Sequence, residues 1–342
     1  MRTFVKKLSS LTAVDSMMNM AERADNQRLN LLRVLTYHRV DDPEKRPSLY
    51  PRVTVTPKEF VGQMQHLVAG YNPVSLDQVL EAMEAPVLRA LPPRAVLVTF
   101  DDAYCDFAEQ AWPVMKRYSI PATLFVPTAF PDQPQRTFWW DRLYQALRTT
   151  PRRDVVSVPF GEVSVKTAVD RHQTLTRVRD YLKSLPHQQA MDWLEQFCHD
   201  LAAQPPEHSV LGWDALRQLA REGVTMGAHT QTHPLMNRVT PAEAKAEAVQ
   251  SVNDLKRELG DVAPIFAYPS GGFNEDVVKG LQEAGIKCAF TTVRGINDLR
   301  HADALRLRRI NVGPGTTLNA MRAQLLPWSV HLNRLQPLTS SV

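Results

Sequence analysis

Seven short β-type runs, regularly spaced by longer segments, constrain this chain more than any other feature. LLRVLTYH (31–38), RAVLVTF (94–100), ATLFVP (122–127), VTMGAH (224–229), IFAYP (265–269), CAFTT (288–292) and LRLRRINV (305–312) are short and rich in β-branched and aromatic residues. Helix-length segments lie between most of them. AEQAWPVMKRY follows Asp102, TPAEAKAEAVQSVNDLKRELG follows His233, and NEDVVKGLQEAG follows Phe273. The second carries a full set of helix signals: Thr240 as N-cap, Pro241 in the first turn, Glu243 completing a capping box and Gly260 as the stop. Strand and helix in alternation predict an α/β fold of parallel strands with crossover helices, as a barrel or an open sheet.

The alternation breaks between about Pro134 and Val210. FWWDRLYQALRTT, a hairpin pattern VVSVPFGEVSV and two amphipathic helical stretches follow one another there, which reads as a mostly helical insertion. The expected organisation is an N-terminal helical extension over 1–30, a barrel domain over 31–330 interrupted at about 134–210, and a C-terminal tail over 331–342. Residues 136–183 hold ten Lys or Arg against five Asp or Glu, a local +5 beside +4 for the whole chain. A solvated face is the ordinary meaning of such a run; contact with an anionic substrate or a membrane surface is the alternative.

With 342 residues and 44% hydrophobic content the chain can bury a sizeable core. Its 40 basic and 36 acidic residues leave too little dispersed charge to argue for nucleic acid. Cys105, Cys198 and Cys288 lack the spacing of a disulfide framework or a thiolate zinc site, and suit a reducing compartment. The start, MRTFVKKLSSLTAVDSMMNM, is broken by serines and Asp15 and reads as no cleavable signal, and no run of 18 apolar residues occurs. A cytoplasmic location is the expectation.

Chemistry concentrates at the strand ends. VTFDDAY stops a hydrophobic run on two adjacent carboxylates, Asp101 and Asp102, which a plain reading would make caps of the next helix. In GAHTQTHPLMN, His229 and His233 stand four apart, a spacing at which two imidazoles can meet one metal ion. A zinc protease needs Glu directly after the first His; here it is Thr230, so a base must come from elsewhere. Two His and one Asp leave a coordination position open for water, and the second Asp could take that water's proton. FAYPSGGFN adds a strand that opens into Ser270, Gly271 and Gly272, where backbone N–H groups can approach a ligand closely.

TFDD, HTQTHP and YPSGG, in that order, resemble the polysaccharide deacetylase family of carbohydrate esterases. The similarity spans roughly residues 31–130 and 211–312. It implies a distorted (β/α) barrel that removes N- or O-acetyl groups from sugars with a divalent ion, zinc first and cobalt or nickel as substitutes. By position it implies Asp101 as catalytic base, Asp102, His229 and His233 as metal ligands, and the Ser270 N–H as the group that holds the reaction's oxyanion.

Three departures stand out. Many members have Gly after the two acids, where this chain has Ala103. The usual Arg-x-Pro-Tyr-Gly is replaced by Ala267, Tyr268, Pro269, Ser270 and Gly271, so the Arg that orients the base is missing there. Arg309 is the candidate replacement because its strand end should face the same mouth, with Arg308 pointing the other way. The late Leu-x-His that supplies a general acid is also absent. LTYHRVDD resembles the poly-N-acetylglucosamine and exopolysaccharide branch, whose early Tyr-His supplies that histidine, so His38 becomes the candidate acid and His301 its rival.

The resemblance thus implies a hydrolase of carbon–nitrogen bonds other than peptide bonds, acting on an N-acetylated polysaccharide, oligosaccharide or lipid-linked precursor. An amidohydrolase of small N-acyl or cyclic amides, and a glycan-binding or assembly protein of the same fold with weak catalysis, are the alternatives, and the basic insertion is then a candidate exopolysaccharide-assembly contact. Trp139 and Trp140 suit sugar stacking or a core role equally.

Overall fold

The computed structural model describes residues 30–46, 50–85 and 89–327, together with 16, 18–20 and 22. Seven parallel strands form a ring: β1 Leu31–Tyr37, β2 Ala95–Phe100, β3 Ala122–Val126, β4 Thr225–Ala228, β5 Ile265–Ala267, β6 Cys288–Arg294 and β7 Leu307–Asn311. Each pairs with the next, and β1 closes the ring by pairing with both β2 and β7. Burial on both faces explains why these runs read as nearly continuous apolar stretches rather than alternating ones.

The two faces fill different cores. Leu32, Val34, Leu97, Phe125, Ala267, Phe290 and Leu307 belong to the inner cluster, where the Phe125 and Phe290 rings from non-adjacent strands meet at 5.4 Å. Leu35, Tyr37, Val96, Val98, Phe100, Leu124 and Val126 belong to the outer cluster under the helices.

Those helices are α1 Pro57–Gly70, α2 Leu76–Glu84, α3 Trp112–Arg117, α4 Trp139–Thr149, α5 Ala168–Ser184, α6 His187–Asp200, α7 Trp213–Arg221, α8 Pro241–Leu259, α9 Glu275–Glu283 and α10 Leu318–Leu325. The capping box expected at Thr240 and Glu243 opens α8, and Gly260 ends it at φ 87°. The helix expected after Asp102 differs from an ideal one. It begins with a wide turn over Phe107–Ala111, in which the Trp112 N–H reaches the Phe107 carbonyl, because Pro113 has no N–H to continue a regular ladder. Val79, Ala82 and Leu91 extend the inner cluster around α2.

Between β3 and α7 the chain leaves the barrel to form α4, a hairpin of Val155–Val158 with Gly161–Ser164, and then α5 and α6. The segment returns beside the paired acids. Cys105 N–H donates to the Ser209 carbonyl and Leu211 N–H to that of Ala103. Of the extension expected over 1–30, residues 16, 18–20 and 22 are helical and Asn30 is a turn; the rest lies outside the described residues, as does the tail over 331–342. Among the described residues no helix is long and apolar enough to cross a membrane.

Candidate active site

Every candidate residue taken from a strand end lands at one end of the ring. His38 follows β1, Asp101 and Asp102 follow β2, His229 and His233 follow β4, Ser270 follows β5, and Arg309 lies on β7. Loops at the C-terminal ends of barrel strands are where such folds place chemistry. A cavity of about 580 Å³ opens there and is lined by His38, Asp101, Asp102, His229, His233 and Ser270. His301 is elsewhere. It follows Asn297–Asp298, which pairs with Leu31 and Leu32 at the opposite end of β1.

The adjacent acids do not cap a helix. After Phe100 the chain turns left-handed, with φ 74° at Asp102 and 50° at Ala103, which sends both carboxyls into the mouth instead of to opposite faces. Thr230, His233 and Ser270 share this rare conformation, so strained backbone clusters around the cavity. Gly271, at φ 73°, packs against Thr292, and a Cβ there would overlap the threonine side chain.

Asp102 Oδ1 lies 3.4 Å from His229 Nε2 and 3.3 Å from His233 Nε2, and all three side chains are buried. These are separations of converging ligand atoms rather than of hydrogen bonds, for Asp102 Oδ1 has no hydrogen-bond partner. The His229 Nδ1–H donates to the Ala267 carbonyl at 2.7 Å, which leaves its Nε2 lone pair facing the site. Burial would raise the Asp102 carboxyl, but the two imidazoles overcome it and hold the group ionised far below the usual carboxylate range. An orphaned buried oxygen and two inward imidazoles within 4.8 Å of one another fit a divalent cation. The loop that carries the histidines is pinned from α8, where Glu247 accepts the N–H groups of Gln231 at 2.7 Å and Thr232 at 2.9 Å.

Asp101 is treated differently. Both of its oxygens accept from the two Arg309 terminal nitrogens at 2.8 Å, and Arg309 Nε donates to the Thr291 carbonyl at 2.8 Å. Burial raises this carboxyl and the Arg309 charge more than reverses it, so its pKa falls below the ordinary value. Arg308, one residue earlier, donates to the Arg294 carbonyl, away from Asp101.

A second layer surrounds these residues, and of it only Trp140, offered as a stacking or core residue, had a signal in the sequence. The Trp140 and Phe138 rings stand edge-on to His233 at 5.0 and 5.4 Å. The Trp140 Nε1–H donates to Tyr104 Oη, whose O–H donates to Asp141, each at 2.9 Å. Arg39 lies over the Tyr104 ring at 4.2 Å and pairs with Asp106 at 2.8 Å. The other Asp141 oxygen is buried without a partner, and burial with the nearby Asp102 charge pushes this carboxyl up to about 6 against the pull of Arg39 and Tyr104. Tyr50, Arg52, Val53, Arg179, Asp180, Lys183 and Thr292 also line the cavity and went unread; for Arg179 and Lys183 the trace was the local positive excess and an i,i+4 spacing on α5.

The polysaccharide deacetylase family model matches residues 89–289, more than half of the chain. A Bacillus subtilis (strain 168) protein named "Putative polysaccharide deacetylase YxkH" is 22% identical over 299 residues, covering 86% of this chain and 76% of that one. The Escherichia coli (strain K12) poly-beta-1,6-N-acetyl-D-glucosamine N-deacetylase is 28% identical over 101 residues, 29% of this chain and 14% of the longer protein. Among solved structures, Streptococcus pyogenes deacetylase PplD in complex with acetate superposes with a TM-score of 0.58 at 20% identity, covering 87% of this chain and 99% of that one. IcaB from Ammonifex degensii gives 0.56 at 20% identity, covering 87% and 97%. With the ring of strands described above, these matches establish that the chain belongs to the polysaccharide deacetylase family.

Proposed function

We propose that the protein is a metal-dependent hydrolase that removes acetyl groups, N-acetyl foremost, from an amino-sugar-containing polysaccharide, oligosaccharide or lipid-linked precursor. The observation that carries this reading is the convergence in one cavity of a buried Asp–His–His set and a second carboxylate clamped by an arginine. Asp102, His229 and His233 would hold the ion, zinc by their ligand chemistry with cobalt or nickel as substitutes, and it would supply Lewis acidity and an acidified water.

The chain's own groups supply the remainder. Asp101 stands ionised at the cavity wall, able to accept the attacking water's proton, and Arg309 fixes both of its oxygens. The Ser270 N–H, at the left-handed turn after β5, is the donor assigned to the developing oxyanion. His38 is assigned the proton for the departing nitrogen. The products are acetate and a free amine, or a hydroxyl where the substrate is an O-acetyl ester. The Asp101–Arg309 pair favours turnover over a non-catalytic role, because β7 supplies the orienting arginine that the YPSGG turn does not carry.

Acetate release from a panel of N-acetylated oligosaccharides, with metal analysis of the same sample, tests the reading; no release at full metal occupancy would overturn it. His38→Ala tests its acid. An amine must be protonated to leave, whereas an activated aryl acetate departs unaided, so this variant should lose about 10²–10⁴-fold on an N-acetyl sugar while largely sparing the aryl ester. Equal loss on both would make His38 structural.

A further inference from the structure

The catalytic cavity has a second set of charged groups that the proposed hydrolysis does not use. Arg52, Arg179 and Lys183 line it together with the acids and histidines. Arg179 pairs with the exposed Asp180 at 2.7 Å. Lys183 is half-buried, and among the described residues neither it nor Arg52 has a hydrogen bond or a carboxylate within ion-pair distance. Both carboxylates deeper in the cavity are already committed, Asp101 to Arg309 and Asp102 to the two imidazoles. Asp180 also lines the entrance and offsets Arg179, so the charge left over there, from Arg52 and Lys183, is positive.

A half-buried ammonium without a counter-ion is costly to hold, and cations grouped on low-dielectric walls focus potential into the space between them. Burial, with the neighbouring Arg179 and Arg52 charges, pushes the Lys183 amine below the ordinary lysine value against the pull of Asp180. The positive wall also continues. A second cavity of about 410 Å³ lies on the same two helices, α4 and α5, with Arg148, Lys166 and Arg171 in its lining. The Tyr50 and Tyr144 rings, one from each cavity wall, meet at 5.6 Å between the two.

We propose that Lys183, with Arg52 and Arg179, forms a subsite for an anionic group, a sugar carboxylate or a phosphate, carried next to the acetylated sugar, so that the substrate is an acidic glycan rather than a neutral one. This rests on the deacetylase reading and narrows its substrate class. The second cavity offers the same chemistry to the next charged unit along the chain.

The test compares deacetylation of three matched N-acetylated oligosaccharides: neutral, uronate-bearing and phosphate-bearing. The wild-type protein should favour at least one acidic member over the neutral one by about tenfold in kcat/KM, the worth of one charge-assisted contact, and the preferred arm distinguishes carboxylate from phosphate. Lys183→Gln and the exposed Arg52→Gln should shrink that ratio mainly through KM, and added salt should shrink it in the wild type. A wild-type ratio near one, or a ratio undiminished in both variants, overturns the subsite. If no acetate is released from any member, the deacetylase reading fails, and binding followed by tryptophan fluorescence decides the subsite separately. Equal affinity for the neutral and acidic oligosaccharides, or binding to anionic phospholipid vesicles without any oligosaccharide preference, would then overturn it.

Discussion

The barrel mouth and the insertion beside it handle positive charge in opposite ways. In the mouth, Arg309 gives both terminal nitrogens to one buried carboxylate and Arg39 pairs with buried Asp106. In the insertion, Arg171 donates to the carbonyls of Val165, Arg148, Thr150 and Arg152, and Arg177 to that of Glu162. Both arrangements satisfy guanidinium hydrogen bonds, but only the first cancels charge. The mouth therefore holds ionisable groups at set protonation states, whereas the insertion spends Arg171 and Arg177 on backbone carbonyls and leaves their charge to act on whatever approaches, although Arg152 and Arg179 are paired with Asp154 and Asp180.

If the mouth is the chemical half of that division, its variants should dominate. Replacing Asp102, His229 or His233 by Ala should abolish bound metal and activity together, since a three-ligand site rarely survives the loss of one. Full metal content in any two of the three variants, measured by elemental analysis, would break the comparison at its root. Asp101→Asn should retain the metal and lose about 10²–10⁴-fold in kcat, because only the proton acceptor is removed. A near-native rate would place the base elsewhere.

Asp141 tests the seam between the halves, since it comes from α4 yet lies behind the mouth, facing Tyr104, Arg39, Asp102 and Asp106. With its carboxyl raised to about 6, against about 3.9 in an unfolded chain, the native state of metal-free protein holds the extra proton between those values. Stability should therefore fall as pH rises from about 4 through 6, by up to ~1.4 kcal/mol per pH unit from this group. Asp141→Asn keeps an acceptor for Tyr104 and should remove that slope in urea unfolding of chelator-treated protein. Superimposable pH profiles would show that the Asp141 carboxyl titrates alike in the folded and unfolded chain. The smallest effect is expected at Ala103, buried at φ 50°, where Gly adopts the left-handed turn without a Cβ clash. Ala103→Gly should raise thermal stability by up to about 1 kcal/mol; a lower melting temperature would mean that the methyl group's packing outweighs the strain.

Much of the barrel was legible because its signals are local. LLRVLTYH became Leu31–Tyr37, a nearly continuous run buried on both faces, and LRLRRINV became Leu307–Asn311 even though Arg308 and Arg309 lie within it. Strand alternation also separated Arg309, which reaches Asp101, from Arg308, which does not. The turn at Asp102 and Ala103 was not legible, because neither residue type announces a positive φ as Gly does. Nor was the Tyr104–Asp141 bond, whose partners are 37 residues apart on elements whose packing no periodicity reports. The insertion was readable as helices and a hairpin, but not as a wall of the cavity, since that depends on its return alongside Ala103 and Cys105.

The Asp101–Arg309 pair spans 208 residues and straddles β1, the strand that closes the ring. On a growing chain the carboxylate after β2 exists long before its counter-charge on β7, and contacts of such separation form late because loop closure must come first. Until the last strand docks, folding the first half of the ring would bury a lone acid, at a free-energy cost that favours keeping that end of the barrel open. Formation of the pair and completion of the fold are then one cooperative event, so a chain truncated before residue 309 should lack a closed barrel as well as a positioned acid.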